Sequence, residues 1–325
     1  MDRRLLGFAV GLALVGQLAA AVGAHADGLG TLGITSTEGA TSPVSGERLV
    51  AIPTGRGPTK GTTVERLQQD GGALIDSRYL EQRLSLPGVA FDGTAGGLSA
   101  DGETAVLVPP VRGFHPRRST FVVLDARRLD IRDQVTLPGT YTFDALSPDG
   151  SQMYLIEYPS PNASREYRVR SYDLRSDHLL PHPIVDPDEP PGEMQGFPMT
   201  RTTSPDGRWA YTLYDGDKHP FIHALDTDRG RAVCIDLDRL KTNTAYEARL
   251  TSNPDGSELT VSDRKRDPVA VVDTATFEVS DPAEPAEDGA GFPWLGLVLV
   301  PVALGGAWAL ARGLRRRRIA PGGAR

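Results

Sequence analysis

A chain of 325 residues carrying 42 acidic and 35 basic side chains has a net charge of −7, which argues against a nucleic-acid partner. Its single cysteine, Cys234, rules out an internal disulfide framework, so a hydrophobic core has to hold the fold. Only four of the 35 basic residues are lysine, and Ala, Gly and Pro are plentiful, the bias of a GC-rich bacterial genome.

At the N-terminus, Asp2-Arg3-Arg4 precedes the apolar run Leu5 to Val22 and then Ala24-His25-Ala26, a small-x-small cleavage signal. That order predicts a secretory signal peptide over residues 1–26. A flexible linker is expected over 27–37 and the folded ectodomain over 38–280. Residues 281–291 read as a stalk. Phe292 to Ala311 is an uncharged stretch of 20 residues, the length an α-helix needs to cross a bilayer core. Trp294 and Trp308 stand near its ends, where amphipathic rings favour the interface. Arg312 and Arg315 to Arg318 follow, so the tail 312–325 is expected in the cytoplasm. The predicted protein is thus single-pass, type I, in the cell membrane, with an extracytoplasmic head. Between the two apolar segments the charge is 27 basic against 41 acidic, a net −14.

Within that head one phrase recurs. Ser99-Ala100-Asp101-Gly102, Ser147-Pro148-Asp149-Gly150, Ser204-Pro205-Asp206-Gly207 and Asn253-Pro254-Asp255-Gly256 each precede a run of β-branched and aromatic residues. A degenerate copy, Ser42-Pro43-Val44-Ser45-Gly46, leads into Arg48 to Ile52. The glycines are 56, 48, 57 and 49 residues apart. A period near 50 residues with several short strands per repeat predicts a β-propeller. Thr200–Thr203, Trp209–Tyr214, Phe221–Asp226 and Arg231–Asp236 read as four strands of one blade. The Pro-Asp-Gly phrase supplies the turn chemistry: Pro presets φ, Asp bonds backbone N–H groups, and Gly accepts positive φ. Third strands end in Asp125, Asp173, Asp226 and Asp273, each expected to bond local backbone and to open the turn into the next blade. The first copy has strands near Thr37–Ser42, Arg48–Ile52 and Thr62–Leu67, and Thr276–Ser280 reads as a first strand without a blade. Pairing the two would close a ring of five four-stranded blades and remove an open sheet edge.

The segment Thr200 to Tyr214, continuing through Pro220–Asp226 and Val233–Leu237, resembles a group of secreted bacterial propeller proteins related to the WD40/YVTN and TolB-like classes. Thr142 to Gly150 and Thr94 to Ser99 fit the same pattern, and the similarity spans roughly residues 47 to 280. The resemblance implies the propeller fold and an extracytoplasmic, membrane-anchored location, and it implies no activity. The Trp-Asp and Gly-His dipeptides of WD40 blades are absent.

Chemistry is sparse. His178/His182 and His219/His223 have the i,i+4 spacing of a helical metal pair, but both lie in strand-like context, where such residues stand about 13 Å apart. Asp186 to Glu193 is a dense acidic loop whose prolines and lack of ligand spacing read as a solvated connection rather than a calcium site. Cys234, inside Ala232-Val233-Cys234-Ile235, reads as a buried structural thiol. No phosphate loop, GxSxG elbow or CxxC occurs. Neither a cofactor nor a metal is expected, and catalysis is not. Threading the strands places the longer loops on the face opposite the Pro-Asp-Gly turns. Those loops carry Arg56, Lys60, Arg112, Arg117, Arg118, Arg165, Lys218, Arg264, Lys265 and Arg266 against four acids. This candidate basic rim would face the anionic bilayer or an acidic envelope partner. The expected function is a non-catalytic binding or scaffold module on the membrane. The alternatives are an envelope-polymer hydrolase or lyase working at the propeller channel, and a sensory ectodomain acting through a separate partner.

Overall fold

The computed structural model describes residues 35–36, 38–56, 60–70, 72–110, 116–160, 165–189 and 194–282. The expected signal peptide, most of the linker, the stalk beyond Pro282, the membrane span and the basic tail lie outside the described residues. Among the described residues no helix is long and apolar enough to cross a membrane.

The chain lays down antiparallel sheets one after another, as the repeat requires. A short strand β1 (Thr35–Ser36), inside the expected linker, precedes the first sheet. That sheet is β2 (Ala40–Thr41), β3 (Arg48–Thr54), β4 (Gly61–Leu67) and β5 (Leu74–Leu80). Next, β6 (Leu86–Pro87) pairs with β1. The second sheet is β7 (Thr104–Leu107), β8 (Arg118–Asp125) and β9 (Asp130–Pro138), fronted by the Leu98–Ala105 bridge. The third is β10 (Thr140–Leu146), β11 (Gln152–Tyr158), β12 (Glu166–Asp173) and β13 (His178–Leu179), with β14 (Met194–Gln195) also on β12. The fourth is β15 (Pro198–Thr203), β16 (Trp209–Tyr214), β17 (Phe221–Asp226) and β18 (Arg231–Asp236). A single-turn helix α1 (Thr242–Ala245) leads to the fifth: β19 (Arg249–Ser252), β20 (Glu258–Ser262), β21 (Pro268–Asp273) and β22 (Val279–Ser280). The architecture is an all-β propeller, with five repeat sheets and the two-stranded β1–β6 sheet among the described residues.

Consecutive sheets bury their facing sides on one another. Leu49, Val64, Leu107, Val122 and Leu124 join the first sheet to the second. Val106, Val123, Phe143, Met153 and Leu155 join the second to the third. Tyr154, Tyr167, Val169, Tyr214 and Leu225 join the third to the fourth, and Tyr211, Ile222, Leu250 and Val261 the fourth to the fifth. At about 25 cal/mol per Å² of apolar surface, these four interfaces are what holds a disulfide-free domain together.

The repeated turns behave as their chemistry dictates. In three of them the serine hydroxyl donates to the aspartate two residues on: Ser99 to Asp101 at 2.5 Å, Ser147 to Asp149 at 2.7 Å and Ser204 to Asp206 at 2.5 Å. Each of those aspartates accepts a backbone N–H just past the glycine, and Asp255 does the same in the Asn253 copy. The turns also curl the array. A Cβ placed on Gly207, where φ is +72°, would lie 2.2 Å from the Ala100 Cβ of the second repeat and 3.0 Å from Pro43 of the first. Gly207→Ala therefore meets both a left-handed backbone and a contact two repeats away. We expect a loss of roughly 2 kcal/mol, checked by urea denaturation.

Two expectations about connectivity are corrected. Val279–Ser280 does not pair with the first repeat: it pairs with Val271–Val272 as the outer strand of its own sheet. The cause is local. The Asp273 carboxylate accepts the N–H groups of Ala275 and Thr276, and its carbonyl accepts from Phe277 N–H, turning the chain straight back. The same device follows Asp125, Asp173 and Asp226, so each aspartate opens the turn into the fourth strand of its own sheet, not into the next one. The first repeat is completed instead by β5, an exposed edge strand on β4. Sheet-to-sheet links consequently run on the face of the long loops.

Candidate functional site

The space between the sheets is largely filled among the described residues. The hairpin Pro87–Ala95 leaves the second repeat and reaches the fourth, where Phe91 and Asp92 N–H donate to the Pro198 and Met199 carbonyls at 2.9 and 3.1 Å. What remains is a cavity of about 130 Å³ whose lining includes Thr94, Phe143, Asp144, Arg201 and Gly207. Asp144 on β10 and Arg201 on β15 form a buried ion pair across two first strands. Arg201 also donates to the Asp144 carbonyl and, from Nε, to Thr212 Oγ1 at 2.8 Å. Asp144 is the only acid among the described residues of that lining.

The larger opening is peripheral. It begins with the link that leaves β13. Ile184 bridges to Val169, and Asp186 then turns the chain by accepting Asp188 N–H at 3.0 Å. The other oxygen of Asp186 accepts Cys234 N–H at 2.7 Å. β18 is the outer strand of its sheet, paired on one side only, and an edge N–H in a half-buried place needs an acceptor. Asp186 supplies it and pins the link against the fourth sheet. The side chain expected to be solvated is thus buried, 7% exposed, and makes no ion pair among the described residues.

A second loop, between β16 and β17, forms the opposite wall. Asp215 is fully buried. It accepts Phe197 N–H at 2.6 Å, two N–H groups of Arg165 at 3.0 Å and the Tyr246 hydroxyl at 3.0 Å. Gly216 follows at φ +53°, where a Cβ would come within 2.0 Å of the His219 carbonyl, so only glycine makes this turn. The turn brings the His219 ring to Asp236 and Asp238. Nδ1 stands 3.6 Å from the former and Nε2 3.7 Å from the latter.

Between these walls lies a cleft of about 520 Å³. Val185, Pro187, Met194 and Phe221 give it apolar surface, while Asp186, Glu189, Asp217 and Asp236 face it against Lys218. Cys234 lines it too. Burial pushes the thiol up to about 12, helped by Asp186, Glu189 and Asp236. The sulfur is therefore a thiol at neutral pH and a poor nucleophile, although Cys234 is half-buried against the cleft rather than fully buried as its sequence context implied. Maleimide labelling of the folded protein at pH 8 should proceed far more slowly than after denaturation; equal rates would contradict this environment.

The sequence-predicted residues are scattered. His178 and His182 are exposed, and His223 is buried on β17 while its i,i+4 neighbour His219 is in the loop. Of the ten rim cations, Arg112 lies outside the described residues. Arg165 is bound to Asp215 and to Asp217 at 3.1 Å, and Arg264 faces Glu247 at 3.3 Å. Lys218 edges the cleft. Arg56, Lys60, Arg117, Arg118, Lys265 and Arg266 are exposed. Because the sheet-to-sheet links share their face, acids from those links, Asp186, Glu189, Asp238 and Glu247 among them, now stand alongside. Asp186 was read from sequence as part of a solvated acidic loop, whereas Asp236 in the lining and Asp215 and Asp238 beside it were not singled out as site residues; the Asp215-Gly216 dipeptide at a strand end was the one local signal for them.

No protein-family model matches the chain, and no curated protein sequence does. Among solved structures it is similar to Kuenenia stuttgartiensis hydrazine synthase, at 14% identity and TM-score 0.43, covering 79% of this chain and 68% of that one. TolB from Acinetobacter baumannii matches at 12% identity and TM-score 0.40, over 74% of this chain. The chain spans about half of that protein's length, 53%. The β-propeller domain of Myceliophteria thermophila Cps50 (Swd1) matches at 9% identity and TM-score 0.41, covering 76% and 70%.

Proposed function

We propose that the protein is a non-catalytic binding module, a propeller held on the extracytoplasmic side of the cell membrane by residues 292–311, which engages an envelope partner through its long-loop face. The observation that carries this reading is the 520 Å³ cleft between the link and loop walls, open to that face, with an apolar lining and an acid-rich edge. The filled space between the sheets supports it from the other side. Glycan cleavage in a channel needs two carboxyl groups, and the cavity lining offers Asp144 alone among the described residues, already paired with Arg201. The tether and topology rest on the sequence: an Arg-flanked apolar N-terminus and a 20-residue uncharged run before an arginine cluster. The cleft is favoured over the basic rim as the contact because Arg165 and Arg264 are engaged in ion pairs and acids share the face.

The test is photo-crosslinking in native membranes with the full chain, placing the crosslinker at Gln195 or Lys218 on the cleft, and at Asp255 on the turn face. A discrete adduct from the cleft positions alone supports the reading. Adducts from Asp255 alone, or from none of the three, contradict it.

A further inference from the structure

We infer that His219, Asp236 and Asp238 form a binding site for a divalent transition-metal cation at the edge of the cleft. The three residues come from two elements, the β16–β17 loop and the end of β18, which the β17–β18 pairing brings together. One ligand atom from each lies within 4.8 Å of the others. Tetrahedral donors about 2.1 Å from an ion stand about 3.4 Å apart, so closure asks for side-chain shifts on the order of 1 Å. Asp238, with a side chain 78% exposed, has room to supply it.

A second observation, independent of the trio, points to a cation in the same place. Asp186 lines this cleft as a carboxylate more than nine-tenths buried, with two backbone N–H groups for partners and no counter-charge among the described residues. Glu189 and Asp217 add to the field, and Lys218 is the single full positive charge among the described residues of the lining. A lining with more acids than cations favours a cation at this opening.

The donor set selects the class. One imidazole nitrogen with two carboxylates suits zinc and its first-row neighbours, whereas calcium takes six to eight oxygens and has no use for imidazole. Three protein ligands leave coordination positions open toward the cleft, where a carboxylate or phosphate of a partner would complete the shell. The site does not depend on the docking reading, since the ion needs only this chain.

Full-length protein in detergent micelles, stripped with chelator, is titrated calorimetrically with zinc chloride, and separately with manganese and calcium chlorides. The expected result is one zinc per chain, with His219→Ala and Asp236→Asn each weakening binding roughly tenfold or more. Asp255→Asn, on the turn face, is the unaffected control. X-ray absorption of the zinc-loaded parent should show one imidazole nitrogen among oxygens, a readout that requires no variant to fold. No binding at millimolar zinc, unchanged affinity in His219→Ala, preference for calcium, or a sulfur ligand in the absorption spectrum would each overturn the assignment.

Discussion

Arg201→Met should cost about 3–5 kcal/mol of folding stability, because it strands the Asp144 carboxylate in the propeller centre without its counter-charge. The side chains are 5% and 3% exposed, and water in the adjoining cavity is a poor substitute for a counter-charge. The loss should fall on two links at once, since Arg201 also donates to the Asp144 carbonyl and thereby ties β15 to β10. Asp144 Oδ2 has no hydrogen-bond partner among the described residues even in the intact pair, so the carboxylate has little left to lean on. The double variant Asp144→Leu/Arg201→Met removes both charges and should recover most of the loss, as apolar replacements of buried pairs do. Urea denaturation of the single and double variants reads both outcomes. A single variant that loses under 1 kcal/mol would mean that the centre is wetter than its packing implies.

The second large effect is on acid stability. His223 sits on β17, 1% exposed, with Nε2 unpartnered. Burial lowers its pKa from 6.5 to about 4, with Arg201 lowering it further while Asp144 and Asp186 pull the other way. An imidazole whose folded pKa lies below its unfolded value binds more protons when unfolded, so the folded state loses ground wherever those protons are available. This contribution is fully present above about pH 6.5 and is lost as pH falls through 4, a total of about 3 kcal/mol. His223→Leu should flatten that part of the pH–stability curve between 6.5 and 4 while leaving the carboxylate-driven fall below it. A variant curve parallel to the parent's over this window would contradict the assignment.

The repeat was readable because each of its positions answers to a local backbone demand. Ser204, Asp206 and Gly207 close their turn within the phrase itself, and Asp226 accepts the Arg229 N–H three residues away. Such chemistry is written in neighbouring letters. Leu74–Leu80 was passed over because an exposed edge strand has no buried face to impose alternation, and its side chains are mostly in solvent. The same locality misled the reading of Thr276–Ser280. Its composition suits a first strand, but Phe277, at φ +59°, completes a tight reversal that puts it beside β21.

The cleft was hidden for a different reason. Asp186 is held by the N–H of Cys234, 48 residues on, and Asp215 by Arg165, 50 residues back. Neither spacing follows from periodicity. A carboxylate before proline in an acid-rich loop looks solvated until the edge of another sheet needs its oxygen. The rim cations were visible as a count of loops, but their charge is offset by links whose face depended on the connectivity just corrected.

If the cleft is the contact, recognition depends on its negative charge. The deciding measurement repeats the membrane crosslinking from Gln195 in a Glu189→Lys/Asp217→Lys background, with Asp255→Lys/Glu258→Lys, outside the cleft lining, as the control for the same change in overall charge. Both cleft carboxylates are exposed at its edge, and Arg165 keeps its pair with the buried Asp215 when Asp217 is reversed, so the fold should stand. The Gln195 adduct should disappear in the cleft variant and persist in the control. An adduct of equal yield in both would contradict it and return attention to the basic loops.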